Sequence, residues 1–542
     1  MLLMSTLTVD RETIPSNTGV SYKQHPPAGE FDAIVIGSGI GGLASAALLA
    51  QRAGKRVLVL ERHYTAGGFT HVFHRPGYEW DVGVHYIGHM GAGAPMRALF
   101  DSISEGRLQW NPMPEVYDRI RIADRSYDFL SGAQRFTERM REYFPREGAA
   151  IRQYMAEVHG AARASKLFFA EKALPAPLAR VAGPLLRRRF LGYARRTTGE
   201  TLARLTGNRE LTAVLTGQWG DYGLPPNQSS FGMHAIIAEH YLDGAFYPVG
   251  GASRIAASIA PTIERAGGSI LVGAEVDQIL LDAQNRATGV RMADGRELRA
   301  PLILSDAGAW NTYARLLPPH APGRARSLAE IERIPNSSGH LCLYVGLRRD
   351  PGEPEFGDTN LWIYPSADHD ANLARSTADP EQPFPGLFIS FPSAKDPEFA
   401  QRQPGRATIE VVTLAPHGWF ERWADTRWKR RGPDYEAFKQ SLAARLRAEL
   451  ERHVPAVRGK IEYCELSTPL STRQFANYLQ GQVYGPASTP ARFESRALSP
   501  RTTVSNLYLT GADVAILGVA GALAGGALAA SAVLRRNLMA AR

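Results

Sequence analysis

The sequence predicts an α/β protein: a parallel sheet wound with helices, a discontinuous α+β second domain, and a helical insertion. Three observations carry this prediction. Phe31-Asp-Ala-Ile-Val-Ile-Gly37 is an apolar run that ends in a glycine turn, followed by a small-residue helix (43–53) and a second apolar run, Arg56-Val-Leu-Val-Leu-Glu61. Further short apolar runs return at 269–281 and 302–308, and at Asn506-Leu-Tyr-Leu-Thr-Gly511. Between the first and second sets, residues 95–245 carry helical periodicity with charged faces.

The opening element is a complete dinucleotide fingerprint. In Gly37-Ser-Gly39-Ile-Gly-Gly42, Gly37 allows the tight turn, Gly39 lets backbone approach a pyrophosphate at the helix N-terminus, and Gly42 lets helix and strand pack closely. Glu61 closes the second strand, where a carboxylate accepts from ribose hydroxyls and repels a 2′-phosphate. This is a Rossmann-type unit. Arg62 follows directly, and a second glycine pair, Gly67-Gly68, gives another close backbone approach just beyond it. That suits a cofactor larger than NAD folded back along the protein, so FAD is favoured. Gly250-Gly251 and Gly525-Gly526 lack the strand and terminal acid, so one dinucleotide is expected and no separate NAD(P)H domain.

The next elements follow from pattern. Residues 70–88 read as a strand or hairpin, 253–266 as a helix, and 269–308 as short strands joined by tight turns. Residues 340–415 alternate strands with Pro-rich loops, and 438–453 form an amphipathic helix. The uncharged stretch 514–534 has the length of a membrane span, but it is mostly Ala and Gly and reads better as a buried helix against a cofactor. The domain expectation is a loose arm over 1–30; an FAD-binding domain from 31–95, 245–310 and 500–542; a helical substrate and membrane-associating region over 96–244; and a substrate domain over 311–499.

Composition narrows the function classes. At 542 residues, 44% apolar and 21% charged, the chain is globular, and two cysteines (Cys342, Cys464) give neither a disulfide framework nor a metal spacing. The net charge of +9 is concentrated between Lys166 and Arg196, where eight basic residues face one acid, Glu171. These alternate with Leu167, Phe168, Phe169, Leu178, Val181, Leu185 and Phe190, a pattern suited to a membrane interface. The alternative is a solvated basic helix pair packed on the core. Nucleic acid is disfavoured, because the bases share the segment with aliphatic bulk rather than stacking platforms. The start of the chain is polar and lacks a basic-then-apolar leader, so a cytoplasmic, peripherally membrane-associated location is expected.

Beyond the nucleotide fingerprint, Asp81-Val-Gly83-Val-His85-Tyr86-Ile-Gly, Ser230-Phe-Gly-Met-His234, Phe246-Tyr-Pro-Val-Gly-Gly251, Phe391-Pro-Ser-Ala-Lys-Asp396 and Gly432-Pro-Asp-Tyr-Glu436 stand in chain order. From about residue 30 to 537 the chain resembles the phytoene desaturase-like flavoproteins, and within them the retinol saturases, with the carotenoid isomerases nearby. The resemblance implies non-covalent FAD, a long apolar polyene-like lipid substrate and a peripheral membrane habit. It implies that Val276 meets adenine through its backbone, that Gly511 and Asp513 form the closing motif, and that Val519, Ala520 and Gly521 begin the helix facing the flavin edge. Two departures stand out: Phe69 and Thr70 occupy the place of the retinol saturases' cysteine pair, and the animal enzymes' apolar leader is missing.

Reduction of a carbon–carbon double bond requires hydride from a flavin, a proton donor and a dry tunnel. The candidate donors are Tyr86 and His85, with Tyr222 and Tyr484 weaker; Asp81, which either caps backbone or bonds the flavin ribityl, is counted with Gly83 in the cofactor set, and His234 is read as structural. The same flavin site could run desaturation or cis-trans isomerisation, and a membrane-attached flavin- or lipid-binding protein without turnover is the reading from another class. The sequence leaves the external electron donor open.

Overall fold

The computed structural model describes residues 18–350 and 356–539. Its first layer is a six-stranded parallel sheet in the order 20–21, 269–272, 57–61, 33–36, 303–305, 507–509. Ala33–Ile36 and Val57–Glu61 are buried on both faces. That is why both read as unbroken apolar runs rather than as alternation. The crossover helix Ile40–Ala53 is buried along most of its length, and the late helix Gly518–Leu534 packs directly on it. Small residues make this contact possible: a methyl on Gly526 would lie 2.6 Å from the Gly41 carbonyl oxygen. The stretch read as a buried Ala/Gly helix therefore is one, beginning at Gly518, and no helix among the described residues is long and apolar enough to cross a membrane.

The second layer is a seven-stranded sheet in the order 461–467, 339–348, 406–415, 387–390, 360–364, 116–122, 125–130. All its pairings are antiparallel except Asn360–Tyr364 with Val116–Ile122. This corrects the expectation that 96–244 is wholly helical. From Asp118 onward Val116–Ile122 keeps a two-residue period in which Asp118, Ile120 and Ile122 are buried, after a register shift between Val116 and Asp118, so it completes the sheet of the 311–499 region. The helix Pro433–His453 covers the other end of this sheet.

The loose-arm expectation is also corrected for the part described. Residues 1–17 lie outside the described residues. Val20–Ser21, however, adds an edge strand beside Ser269–Val272, with Tyr22 donating its amide to the Val272 carbonyl at 3.0 Å and burying its ring.

The helical portion of the insertion is a hairpin, Gly148–Ala173 and Ala176–Ala194, packed through Phe168 and Phe190. Its outer side carries four of the exposed large apolar side chains: Leu167 (54% exposed), Leu178 (57%), Val181 (83%) and Leu185 (74%). Lys166, Arg180, Arg188 and Arg189 are exposed beside them. Lys172 turns the other way and donates to the carbonyls of Leu498 and Val514 at 2.7 Å each, tying the hairpin to the closing segment of the first sheet.

Candidate active site

One continuous cavity of about 420 Å3 runs from the carboxyl ends of the parallel strands to the face of the seven-stranded sheet. At its first end lie Gly37, Gly39, Glu61, Arg62, Gly67, Gly68, Val276, Asp513 and Val519, all anticipated from the sequence. Gly39 caps the helix Ile40–Ala53, whose first turn carries no acidic residue of its own, so the positive end of the helix faces the cavity. The two glycine turns meet there: a methyl on Gly68 would come within 3.1 Å of the Gly39 Cα. This is a backbone cradle of the kind a pyrophosphate requires. Glu61 is fixed beside it, with Oε2 accepting from the Ser38 amide (2.9 Å) and hydroxyl (2.7 Å) and Oε1 from the His63 amide (2.7 Å). The residues present fit a dinucleotide.

Several anticipated cofactor residues do not reach the cavity. A methyl on Gly42 would run into the Gly37 carbonyl, so its role is helix–strand packing, as its place in the fingerprint implies. Gly511 and Gly521 are also close-approach glycines, against Asp306 and the Ile516 carbonyl, and Ala520 lies within the last helix. Asp81 is withdrawn from the cofactor set on geometry. It is buried and accepts the Ala252 amide at 2.9 Å, so it caps backbone at the Gly250-Gly251 turn. Burial, followed by the nearby Glu410, holds its carboxyl well above the usual carboxylate range. Gly83 does line the cavity.

Asp306, not singled out in the sequence, sits beneath the cradle, where its carboxyl takes the amides of Gly42 and Gly39. Burial pushes it up to about 8; the two amides work against that shift, and Glu61 and Asp513 add to it. The pair His63 and His71, with ring centres 4.6 Å apart, was also unforeseen. Burial takes both down to about 4, so both are neutral.

The far end is lined by Trp219, Trp362, Tyr364, Leu387, Phe388, Leu414, Tyr484 and Leu517, an aromatic and aliphatic chamber. His85 reaches it. Its Nδ1 lies 2.8 Å from Oε2 of the fully buried Glu410, and burial lowers the imidazole to about 3, so it stands neutral. Tyr86, the other anticipated donor, does not line the cavity. Its ring stacks on Tyr241 (centroids 4.4 Å) and Phe388 (5.9 Å). Its hydroxyl lies 2.7 Å from Asp221 Oδ2 and 3.0 Å from Asp118 Oδ2, and of these two carboxyls only Asp221 lines the chamber.

Tyr222 donates or accepts at 3.0 Å with His234, whose other nitrogen meets Tyr154 at 2.9 Å. His234 is thus a satisfied core histidine, as expected. Tyr484 lines the chamber but donates its hydroxyl to the Gly220 carbonyl.

Behind this wall lies a buried polar set that sequence reasoning missed. Lys395 is fully buried and donates to the His85 carbonyl (2.9 Å), the Ser390 hydroxyl (2.7 Å) and the Asn360 side chain. Burial brings its amine down to about 7, against the pull of Asp118 and Glu410. The two cysteines are unpaired, and no metal-holding cluster occurs among the described residues.

Comparison with known proteins places this geometry among relatives. Residues 35–103 match the NAD(P)-binding Rossmann-like domain. The chain is 36% identical to all-trans-retinol 13,14-reductase of Danio rerio, over 94% of this chain and 87% of that one. It is also 36% identical to the protein of the same name from Homo sapiens, over 98% and 90%. Among solved structures, putrescine oxidase with bound putrescine superposes with a TM-score of 0.61 at 14% identity, covering 94% of this chain and all of that one. The last comparison shows a shared fold.

Proposed function

Since the chain belongs to the all-trans-retinol 13,14-reductase family, we propose that it is an FAD-dependent oxidoreductase that saturates a carbon–carbon double bond of a conjugated, retinoid- or carotenoid-like lipid. The observation that carries this reading is the single cavity joining a dinucleotide cradle to an aromatic chamber. FAD, held without a covalent bond, would supply hydride chemistry there.

The chain's own residues do the rest. The Gly37–Gly39 and Gly67–Gly68 turns would hold the cofactor's pyrophosphate, Glu61 the ribose, the Val276 backbone the adenine, and Asp513 with Val519 the flavin end. Trp219, Trp362, Phe388 and Leu414 give a conjugated chain flat apolar surface and exclude water, which strengthens each polar contact at the reacting atoms. His85, kept neutral by burial, is no proton donor.

The hairpin supports peripheral attachment to an anionic membrane. Leu178, Val181 and Leu185 would enter the headgroup boundary while Arg180, Arg188 and Arg189 meet phosphates, which gives an apolar substrate a route from the lipid phase. Changing Val181 and Leu185 to Ser and Arg188 and Arg189 to Glu should release the protein from anionic vesicles in sedimentation; undiminished binding would reject the attachment.

The reaction is tested by anaerobic incubation of the reduced flavoprotein with retinoid and carotenoid mixtures, followed by mass spectrometry. A product two hydrogens heavier is expected. Loss of two hydrogens would make the protein a desaturase, an unchanged mass with a shifted isomer an isomerase, and no product with tight lipid retention a carrier.

A further inference from the structure

We infer that Asp221 is the acid that delivers the proton in this reaction, and that Tyr86, behind it, is the positioning residue that resets it. The inference rests on the flavin-reductase reading and adds the proton source.

The argument is a count of protons. The Tyr86 hydroxyl carries one hydrogen, yet its oxygen lies within hydrogen-bond distance of two carboxyl oxygens, Asp221 Oδ2 at 2.7 Å and Asp118 Oδ2 at 3.0 Å. It can donate to only one of them, so the other contact needs a proton belonging to a carboxyl. Asp118 has no room for that proton. Its Oδ2 already accepts from Gln218 Nε2 (2.7 Å) and Trp362 Nε1 (3.1 Å), and its Oδ1 accepts from Asn360 Nδ2 (2.9 Å). Burial pushes the Asp118 carboxyl up as well, but its three N–H donors and Tyr86 oppose that shift, whereas at Asp221 only Tyr86 does, so Asp118 is the better placed of the two to carry the charge. The extra proton therefore resides on Asp221, which faces the chamber and has Tyr86 as its side-chain partner.

Other groups in the chamber are poorer acids. His85 and His340 are held neutral by burial, and the hydroxyls of Tyr364 and Tyr484 donate to the carbonyls of Gly217 and Gly220. For Asp221, burial and then Asp118 favour the protonated form, with Tyr86 opposing.

The step balances. The π bond of the substrate is lost; one carbon gains the hydride supplied by reduced flavin, and its neighbour gains the Asp221 proton. The two electrons come with the hydride that bound reduced flavin would supply, and Asp221 is left as a carboxylate. The Tyr86 hydroxyl then turns its hydrogen from Asp118, which keeps three N–H donors, to the new carboxylate, which has none. That swing stabilises the charge where it forms, with little reorganisation of the surrounding side chains.

The titratable groups facing Asp221 are Asp118, Tyr86, Tyr117, Tyr222, Tyr241, Tyr364 and Tyr484. With the neutral tyrosines fixed by burial, the alkaline limb of kcat against pH reports Asp221. The test uses the flavin-loaded enzyme. Asp221→Asn should keep flavin content and substrate binding, slow reoxidation of the reduced flavin by polyene about 100-fold or more, and remove the alkaline limb. Tyr86→Phe keeps the stacking on Tyr241 and Phe388. It should lower the rate less and move the limb to higher pH, because the carboxylate loses its donor.

A second readout needs no turnover. The infrared spectrum of the protein should contain a protonated-carboxyl band that disappears in Asp221→Asn. Wild-type rate and pH profile in Asp221→Asn, or no such band in the wild type, overturns the inference while leaving the flavin-reductase reading intact. Loss of the band in Asp221→Asn together with a wild type that turns over no polyene overturns the functional reading and keeps the proton on Asp221.

Discussion

Asp306→Asn isolates a carboxyl whose ionisation the fold opposes. In the folded protein this group titrates at about 8, driven up by burial under the glycine cradle and by Glu61 and Asp513. In the unfolded chain it titrates near 3.9. The folded pKa lies above the unfolded one, so the native state binds more protons than the unfolded state between these values. Stability conferred by this group is therefore full below about pH 4 and falls as pH rises to about 8. The gap of about 4 units at 1.36 kcal/mol each sets a ceiling of about 5 kcal/mol. Because the side chain keeps some exposure through the cavity, roughly 2–4 kcal/mol is the expected loss. Asn occupies the same volume and cannot ionise. The assay is urea denaturation of flavin-free wild type and Asp306→Asn from pH 5 to pH 9. The stability difference, variant minus wild type, should grow steadily with pH and flatten above about 8. Dinucleotide affinity should follow the same course, weakening with pH in the wild type and holding in the variant, because the ionised carboxyl sits where a pyrophosphate must approach. A stability difference independent of pH would refute the reasoning, since it would mean that Asp306 is ionised throughout.

Two further outcomes follow from the packing. Gly41→Ala should destabilise the fold by about 3 kcal/mol, because the added methyl meets the backbone of Gly511, which cannot turn aside as a side chain could; an unchanged urea midpoint would contradict the close approach. Lys172→Met should cost about 2 kcal/mol by leaving the Leu498 and Val514 carbonyls without a donor, and should speed amide exchange over 176–194; unaltered exchange there would show that the lysine does not anchor the hairpin.

The dinucleotide end was legible because its signals are local. Gly37, Gly39, Gly42 and Glu61 fall within one strand–helix–strand unit whose spacing is fixed by its own geometry. The resemblance extended this to Val276 and Asp513, which the fold brings to the same cavity. The chamber was not legible in the same way. Asp118 and Asp221 lie 103 residues apart, and Tyr86 touches both only because Val116–Ile122 joins the second sheet beside Asn360–Tyr364. That strand carried an alternating signal, but its arginines and aspartate made it read as part of a charged helical region. Lys395 and Glu410 were hidden for a different reason: burying a charge is so costly that a lone Lys or Glu reads as surface, and only the assembled partners make the lysine tolerable inside. Tyr86 was singled out, but sequence showed a buried aromatic and could not show that its hydroxyl spans two acids.

The parallel sheet takes its outermost strand, Leu507–Leu509, and the helix backing its first crossover, Gly518–Leu534, from the far end of the polypeptide. A nascent chain emerging from the ribosome therefore exposes Ile40–Ala53 with its chief packing partner still unmade, and assembly of this half must wait until synthesis has passed residue 534. Premature termination even slightly upstream would remove the wall behind the glycine turn, so truncated products should emerge colourless and prone to clump, however much of the second sheet they retain.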